Sequence, residues 1–115
     1  MSDAHADDLL RQQLERTRAT WQALVDHGVN DATKLCLDFF FEAPSYARAI
    51  ELKEFLGRMT DYDVSVAADA DEWMVRGTTQ ATTVALPTLE RWVAWMSTAG
   101  LQFDCVFDGW GAELP

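Results

Sequence analysis

Few residues in this sequence are suited to catalysis. The 115 residues include two histidines, His5 and His27, and neither neighbours a plausible nucleophile. Two cysteines, at positions 36 and 105, fall in strand-like segments, where a small apolar packing role is usual. The sequence contains no glycine-rich phosphate-binding loop. We therefore predict that the protein is not an enzyme and that it holds no cofactor and no metal.

The carboxylates offer two metal-site hypotheses, but a frayed helix terminus is the preferred interpretation of the first group and a solvated sheet face that of the second. His5 and Asp7 lie near the start of a predicted helix, where aspartates suit the helix dipole. A second acidic group falls on the open face of a predicted sheet, as in some metal-dependent enzymes. Its members are Asp38, Glu42, Asp104 and Asp108.

Charge is the most unusual bulk property of the chain. Nineteen acidic residues against nine basic ones give a net charge of −10. Such a surface repels phosphate and anionic lipid, so we expect no direct binding to nucleic acid and none to membranes. It favours a basic partner, such as an arginine-rich protein segment, although acidity that only maintains solubility is the alternative.

Length and composition predict a single domain over residues 1–115. At this length roughly 65% of the unfolded surface can be buried, so no disulfide or metal is needed for stability. Hydrophobic residues make up 49% of the chain, and two distant cysteines do not form a disulfide framework. With no apolar run of signal-peptide or membrane length, we expect a soluble, cytoplasmic protein.

Apolar periodicity and turn residues predict seven elements. Gly28 ends the first helix, Ser45 caps the second, and Gly100 follows the third as its C′ residue. In order, the elements are a helix over about 3–27, a strand over 34–43, a helix from Tyr46 to about Met59, a hairpin with arms near 62–66 and 73–76, a helix from Pro87 to about Ala99, and a strand over 102–108.

Alternation in the strands and helical spacing predict which residues form the core. Leu35, Leu37, Phe39 and Phe41 share the core face of the first strand, and Cys36 lies on the opposite face. Cys105 shares the core face of the last strand with Phe103 and Phe107, so the two cysteines are not expected to be bonded. The apolar stripe predicted for the second helix is Tyr46, Ala49, Leu52, Leu56 and Met59.

The order of elements predicts an α+β fold of the ferredoxin-like class. A helix is followed by strand–helix–strand–strand–helix–strand, which is the split βαβ pattern with an added N-terminal helix. In that fold two helices cover one face of a four-stranded antiparallel sheet. An RNA-recognition domain shares this topology, but it requires basic residues among its aromatics, whereas carboxylates surround Phe40.

The C-terminal segment "FDGWG" places Trp110 between two glycines, Gly109 and Gly111. Asp-Gly is a turn or bulge signal, because glycine tolerates positive φ. Trp110 then leaves the strand alternation, and two interpretations compete. In the preferred one its ring is mostly buried and supports the end of the sheet, packed on the N-terminal helix. In the other it is an exposed aromatic, surrounded by the carboxylates of Asp104, Asp108 and Glu113.

Three segments resemble the RraB family, regulators of ribonuclease E activity. "FDCVFDGWGAEL" looks like the closing strand of that family. "RTRATWQALVDHG" carries the Thr17-Arg18 pair, Leu24, Asp26 and Gly28 at the family's spacing, and "DYDVSV" matches in type. The best-known members also carry a long acidic C-terminal tail, whereas this sequence stops at Pro115.

The resemblance implies a ferredoxin-like protein inhibitor that binds ribonuclease E, mainly at its scaffold region outside the catalytic domain. The partner-binding residues expected from it are Arg18, Asp104, Asp108, Trp110 and Glu113, and the structural motif is Gly28, Gly109, Trp110 and Gly111. The alternative is a small acidic interaction protein, such as an immunity protein, with a different basic partner. We expect a monomer or a weak homodimer in either case.

Overall fold

The computed structural model describes residues 3–113, so both ends of the predicted 1–115 domain lie outside the described residues. Helices and strands follow one another in nearly the predicted order. The elements are α1 (Asp3–Asp26), β1 (Lys34–Leu35), β2 (Leu37–Ala43), α2 (Tyr46–Met59), β3 (Asp63–Asp69), β4 (Glu72–Thr78), β5 (Thr82–Thr83), α3 (Leu86–Leu101) and β6 (Val106–Ala112).

Four strands form an antiparallel sheet in the order β3-β4-β2-β6. The α+β class predicted from the sequence is therefore confirmed. The long strand predicted over 34–43 is wrong in one respect, because it breaks at Cys36. Lys34 and Leu35 pair with β5 in a separate two-stranded ribbon. The main-sheet strand β2 begins at Leu37, whose N–H donates to the Thr79 hydroxyl at 3.0 Å.

Two clusters of buried side chains form the core. The larger one lies between the sheet and the helices and is centred on Phe39 and Phe41, both fully buried. The smaller one joins the end of α1 to the β1–β5 ribbon and to Leu89 at the start of α3. The alternation predicted over 34–43 is confirmed, since Leu35 of β1 and Leu37, Phe39 and Phe41 of β2 are all buried.

Helix α1 ends at Gly28 for a conformational reason. Gly28 has φ +96°, and a Cβ there would meet nothing within 4 Å, so the left-handed backbone rather than space selects glycine. Its N–H donates to the Val25 carbonyl at 2.9 Å, and the Val29 N–H donates to the Leu24 carbonyl at 3.0 Å. These two hydrogen bonds are the pair that defines a Schellman motif. Leu24 and Val29 both belong to the smaller core cluster.

Helix α2 is capped as predicted, but its apolar stripe is shorter. The Ser45 hydroxyl accepts from the Arg48 N–H. Ala49, Leu52 and Leu56 are buried, whereas Tyr46 and Met59 are 53% and 60% exposed. These two are the first and last residues of the helix, so the predicted stripe is wrong at its ends, although the Tyr46 ring still meets the Trp73 ring of β4 at a centroid distance of 4.9 Å.

The prediction that Gly100 lies just beyond α3 is wrong, because the helix continues to Leu101. A Cβ at Gly100 would come within 2.7 Å of the Phe41 ring and 2.8 Å of the Cys105 carbonyl oxygen. Close approach of the helix to β2 therefore selects glycine here. The left-handed residue comes later, at Asp104 with φ 58°.

None of the helices in the described range is both long and apolar enough to cross a membrane.

Candidate partner-binding site

Strand β6 begins and ends four residues later than the strand predicted over 102–108, so it includes Gly109 and Trp110. Phe107 is level with Phe41 and Gly109 with Phe40, so β6 carries one extra residue, Asp108, at this point. Gly109 has φ +119°, as a bulge of this kind requires. Because side chains alternate with a period of two, the bulge moves Trp110 onto the same face as Phe107. The Asp-Gly pair therefore decides which way the tryptophan points.

Trp110 is half-buried and joins three parts of the chain. Its indole N–H donates to the Thr17 hydroxyl of α1 at 3.0 Å, and Thr17 is only 1% exposed. Its ring meets the ring of Trp92 on α3 edge-on, with centroids 6.3 Å apart. These contacts favour the first interpretation, in which Trp110 packs on the N-terminal helix, over the one in which its ring is freely exposed.

Of the three predicted motif glycines, two have a structural reason to be glycine. Gly28 and Gly109 have positive φ. At Gly111 a Cβ would meet nothing within 4 Å, and its backbone lies outside the left-handed region. Gly111 instead leaves the outer face of β6 without a side chain beside Asp38, its neighbour on β2.

Two arginines of α1 tie that helix to its neighbours. The Arg16 guanidinium donates to the Asp108 carbonyl at 3.5 Å, at the bulge. Arg18, predicted to bind a partner, directs two nitrogens at one carboxylate oxygen of Glu90 on α3, each at 2.9 Å. Arg18 therefore links α1 to α3 within the chain.

The three predicted partner-binding carboxylates are spread along β6. Asp104 precedes the strand and lies 3.2 Å from the Arg48 guanidinium of α2. Asp108 is exposed at the bulge, and Glu113 is exposed just past the end of the strand. A seven-residue strand is about 20 Å long, so the first and last of these groups do not share one contact patch.

The sheet face opposite the helices carries one half-buried aromatic ring. Phe40 lies between Arg76 of β4 and Gly109 of β6 in the same row. Asp38, in the next row, accepts from the Thr78 hydroxyl at 2.8 Å. A hollow of about 310 Å³ opens over this face between β2 and β3, and Asp63 lines it together with Asp38 and Phe40.

A second cavity, of about 360 Å³, lies beside β5 and the start of α3. Threonines 79, 82, 83 and 88 line much of it. Tyr62 and Trp92 form one wall, where the Trp92 indole N–H donates to the Tyr62 hydroxyl at 3.0 Å. No charged pair that suggests a reaction lines this cavity, and sequence reasoning did not predict it.

Sequence reasoning also missed the acidic edge of the β3–β4 hairpin. Residues 59–75 contain five acidic side chains and no lysine or arginine. They are Asp61, Asp63, Asp69, Asp71 and Glu72. Elsewhere, ion pairs neutralise part of the acidity, as Arg48 does for Glu51 and Asp104. The segment is visible in the sequence as 17 residues without lysine or arginine, but only the sheet order places its β3 part at a free edge.

The side chains suited to catalysis, the two histidines and the two cysteines, lie apart from one another. His5 and His27 are exposed, and the His27 ring nitrogen Nδ1 lies 2.8 Å from the Ala23 carbonyl. Both cysteines are free, with Cys105 buried and Cys36 exposed, as predicted. Burial, reinforced by the Asp104 carboxylate, raises the pKa of the Cys105 thiol to about 11. Across residues 3–113 no three His, Cys, Asp or Glu side chains gather as metal ligands would.

Neither a protein-family model nor a curated protein matches the chain. The resemblance to the RraB family therefore stays a prediction, carried by the residues quoted for it.

Proposed function

We propose that this protein is a non-catalytic regulator that binds ribonuclease E through its acidic surface, as the RraB family does. One observation carries the proposal. Two of the segments that bear the resemblance are more than 90 residues apart, yet they meet in space, through the hydrogen bond from Trp110 to Thr17. A resemblance made of two unrelated local matches would have no reason to converge on one partly buried contact.

The strand order supports the ferredoxin-like fold that this proposal includes. Counting the strands of the main sheet along the chain as first (β2), second (β3), third (β4) and fourth (β6), their spatial order is fourth-first-third-second. Helices α2 and α3 follow the first and third of these strands, as the split βαβ pattern requires. Helix α1 is the added element, and it packs against α3 and β6.

Charge supports a basic protein partner. The chain has a net charge of −10, and the fold leaves many of its carboxylates exposed. Long-range attraction of this kind raises the association rate more than it raises the final affinity. Binding to an arginine-rich scaffold segment can therefore depend on exposed carboxylates alone and needs no catalytic residues on this chain.

The decisive experiment measures binding kinetics between the purified protein and an arginine-rich scaffold fragment of ribonuclease E at two salt concentrations. We expect the association rate to fall as salt rises, since exposed charges are screened over about 8–10 Å at physiological ionic strength. A wild-type protein that fails to bind the fragment even at low salt contradicts the ribonuclease E proposal. Binding to a different basic protein would then favour the immunity-protein alternative.

A matched pair of variants tests the predicted carboxylates. The first reverses Asp104, Asp108 and Glu113 to lysine, and the second reverses Asp7, Glu15 and Asp26 on α1. Both change the net charge equally. If the β6 carboxylates face the partner, the first variant should associate about tenfold more slowly than the second. Equal slowing in both variants would mean that bulk charge, and not these residues, guides the partner.

A further inference from the structure

Strand β3 is a sheet edge whose outer backbone is unpaired. Its register with β4 is continuous from Asp63 to Asp69, and among the described residues no strand lies on its other side. Such an edge presents a row of N–H and C=O groups that can pair with another chain.

The hairpin register identifies the outward groups. Residues 70 and 71 form a two-residue turn, which a hydrogen-bonded pair closes at positions 69 and 72. Bonded and non-bonded pairs then alternate along an antiparallel ladder. The amides of residues 63, 65, 67 and 69 therefore face β4, while those of Val64, Val66 and Ala68 face outward.

Natural sheets usually protect such edges with lysine, proline or a bulge. The segment "DVSVAAD" contains no lysine and no proline, and its pairing with β4 shows no register shift. The other edge of the same sheet has a bulge, and α1 lies beside it. The β3 edge therefore keeps a geometry that accepts an added strand.

Charge decides what kind of strand fits. The hairpin segment 59–75 holds five carboxylates and no basic residue, so pairing with the same edge of a second copy would bring two acidic segments together. The hollow beside β3 has the carboxylates of Asp38 and Asp63 and the ring of Phe40 in its lining, against the single guanidinium of Arg76. An arginine side chain that extends from an added strand over Asp63 and Ser65 enters this hollow.

We infer that the β3 edge binds an extended basic segment as a fifth strand, with arginine or lysine at alternate positions on the outer face. Positions between them lie beside Val64 and Val66 on the helix side, so they take apolar residues. The inference rests on the proposed function for its basic protein partner, and it adds the binding mode and the sequence pattern.

The test uses a synthetic nine-residue peptide of alternating arginine and valine and follows amide hydrogen exchange in the full protein. We expect exchange at Val64, Val66 and Ala68 to slow at least about tenfold on binding, with little change at residues 63, 65 and 67. A control peptide with the same arginines and with prolines replacing two valines keeps the charge but cannot form the ladder. Equal binding of the control peptide, or protection at other strands, would overturn the inference.

A protein variant provides an independent check. Ala68→Pro removes an outward N–H at an exposed edge position, where proline is tolerated. It should weaken binding of the arginine–valine peptide about tenfold and leave the urea midpoint nearly unchanged. Unaltered peptide affinity in a folded variant would contradict strand addition. Protection of the three outward amides at high protein concentration without peptide would instead identify a second copy as the occupant.

Failure of this inference is distinguishable from failure of the proposed function. If the ribonuclease E fragment binds and protects amides away from β3, the function stands and the docking mode falls. If the arginine–valine peptide protects the three amides while the fragment does not bind, the docking mode stands and the ribonuclease E proposal falls.

Discussion

The two edge strands of the main sheet, β6 and β3, differ in how they are protected. At β6 a bulge interrupts the ladder, Arg16 bonds to the carbonyl of the bulged residue, and Trp110 anchors the strand to α1. At β3 the ladder is regular, and neither a bulge nor a neighbouring strand protects it among the described residues. The segment "FDGWG", which bears the family resemblance, therefore closes one edge of the sheet, while the other edge stays available.

This difference separates residues that hold the fold together from residues that are available to a partner. A rare residue such as tryptophan between glycines attracts attention as a site, but here its contacts are internal. The acidic hairpin has an ordinary sequence, yet among the described residues no strand pairs with the outer side of its β3 strand. Three substitutions test how firmly the β6 side is closed.

Trp110→Ala should have the largest effect, a loss of about 3 kcal/mol in the free energy of unfolding, because it removes a large ring packed between α1 and α3. Urea unfolding measures the change. Trp95→Ala is the control, since Trp95 is 39% exposed and stacks only on Phe55 and should cost about 1 kcal/mol. Equal midpoints for Trp110→Ala and wild type would show that Trp110 does not support the β6 edge.

Gly109→Ala should cost about 2 kcal/mol, because its φ of +119° strains any residue with a Cβ and the added carbon would lie 3.4 Å from the Arg16 guanidinium. Gly111→Ala, two residues away, should change stability by less than about 0.5 kcal/mol, since its Cβ meets nothing within 4 Å. Thermal unfolding of both variants compares them directly. A larger loss of stability at Gly111 than at Gly109 would show that the bulge is not at Asp108–Gly109.

Thr17→Val should have the smallest effect, about 1 kcal/mol. The substitution keeps the side-chain volume at a position only 1% exposed and leaves the Trp110 indole N–H without its acceptor. A double-mutant cycle with Trp110→Phe isolates the hydrogen bond, because phenylalanine has no N–H to lose. Fully additive effects in that cycle would mean that the Trp110–Thr17 hydrogen bond does not help to hold α1 against β6.

Local chemistry allowed much of the fold to be predicted from the sequence. Alternation placed Phe39 and Phe41 in the core, and it separated Cys36 from Cys105 correctly. Gly28 and Ser45 marked helix ends because left-handed backbone and side-chain capping depend on a few neighbouring residues. Gly100 was misplaced for the same reason, since its role is to admit the Phe41 ring from a distant strand.

The sequence by itself determined the order of the three helices and the four main strands, the buried face of β2 and the large negative charge, because periodicity and composition are local properties. Tertiary structure alone decided that the Asp108–Gly109 bulge turns Trp110 toward Thr17, since a bulge exists only relative to the partner strand. It also decided where the carboxylates lie. Asp104 meets Arg48 of α2, whereas Asp63 of the acidic hairpin lies on β3, the strand that the sheet order leaves at the edge. Pairing and exposure depend on residues far apart in sequence, and the folded chain brings those residues together or keeps them apart.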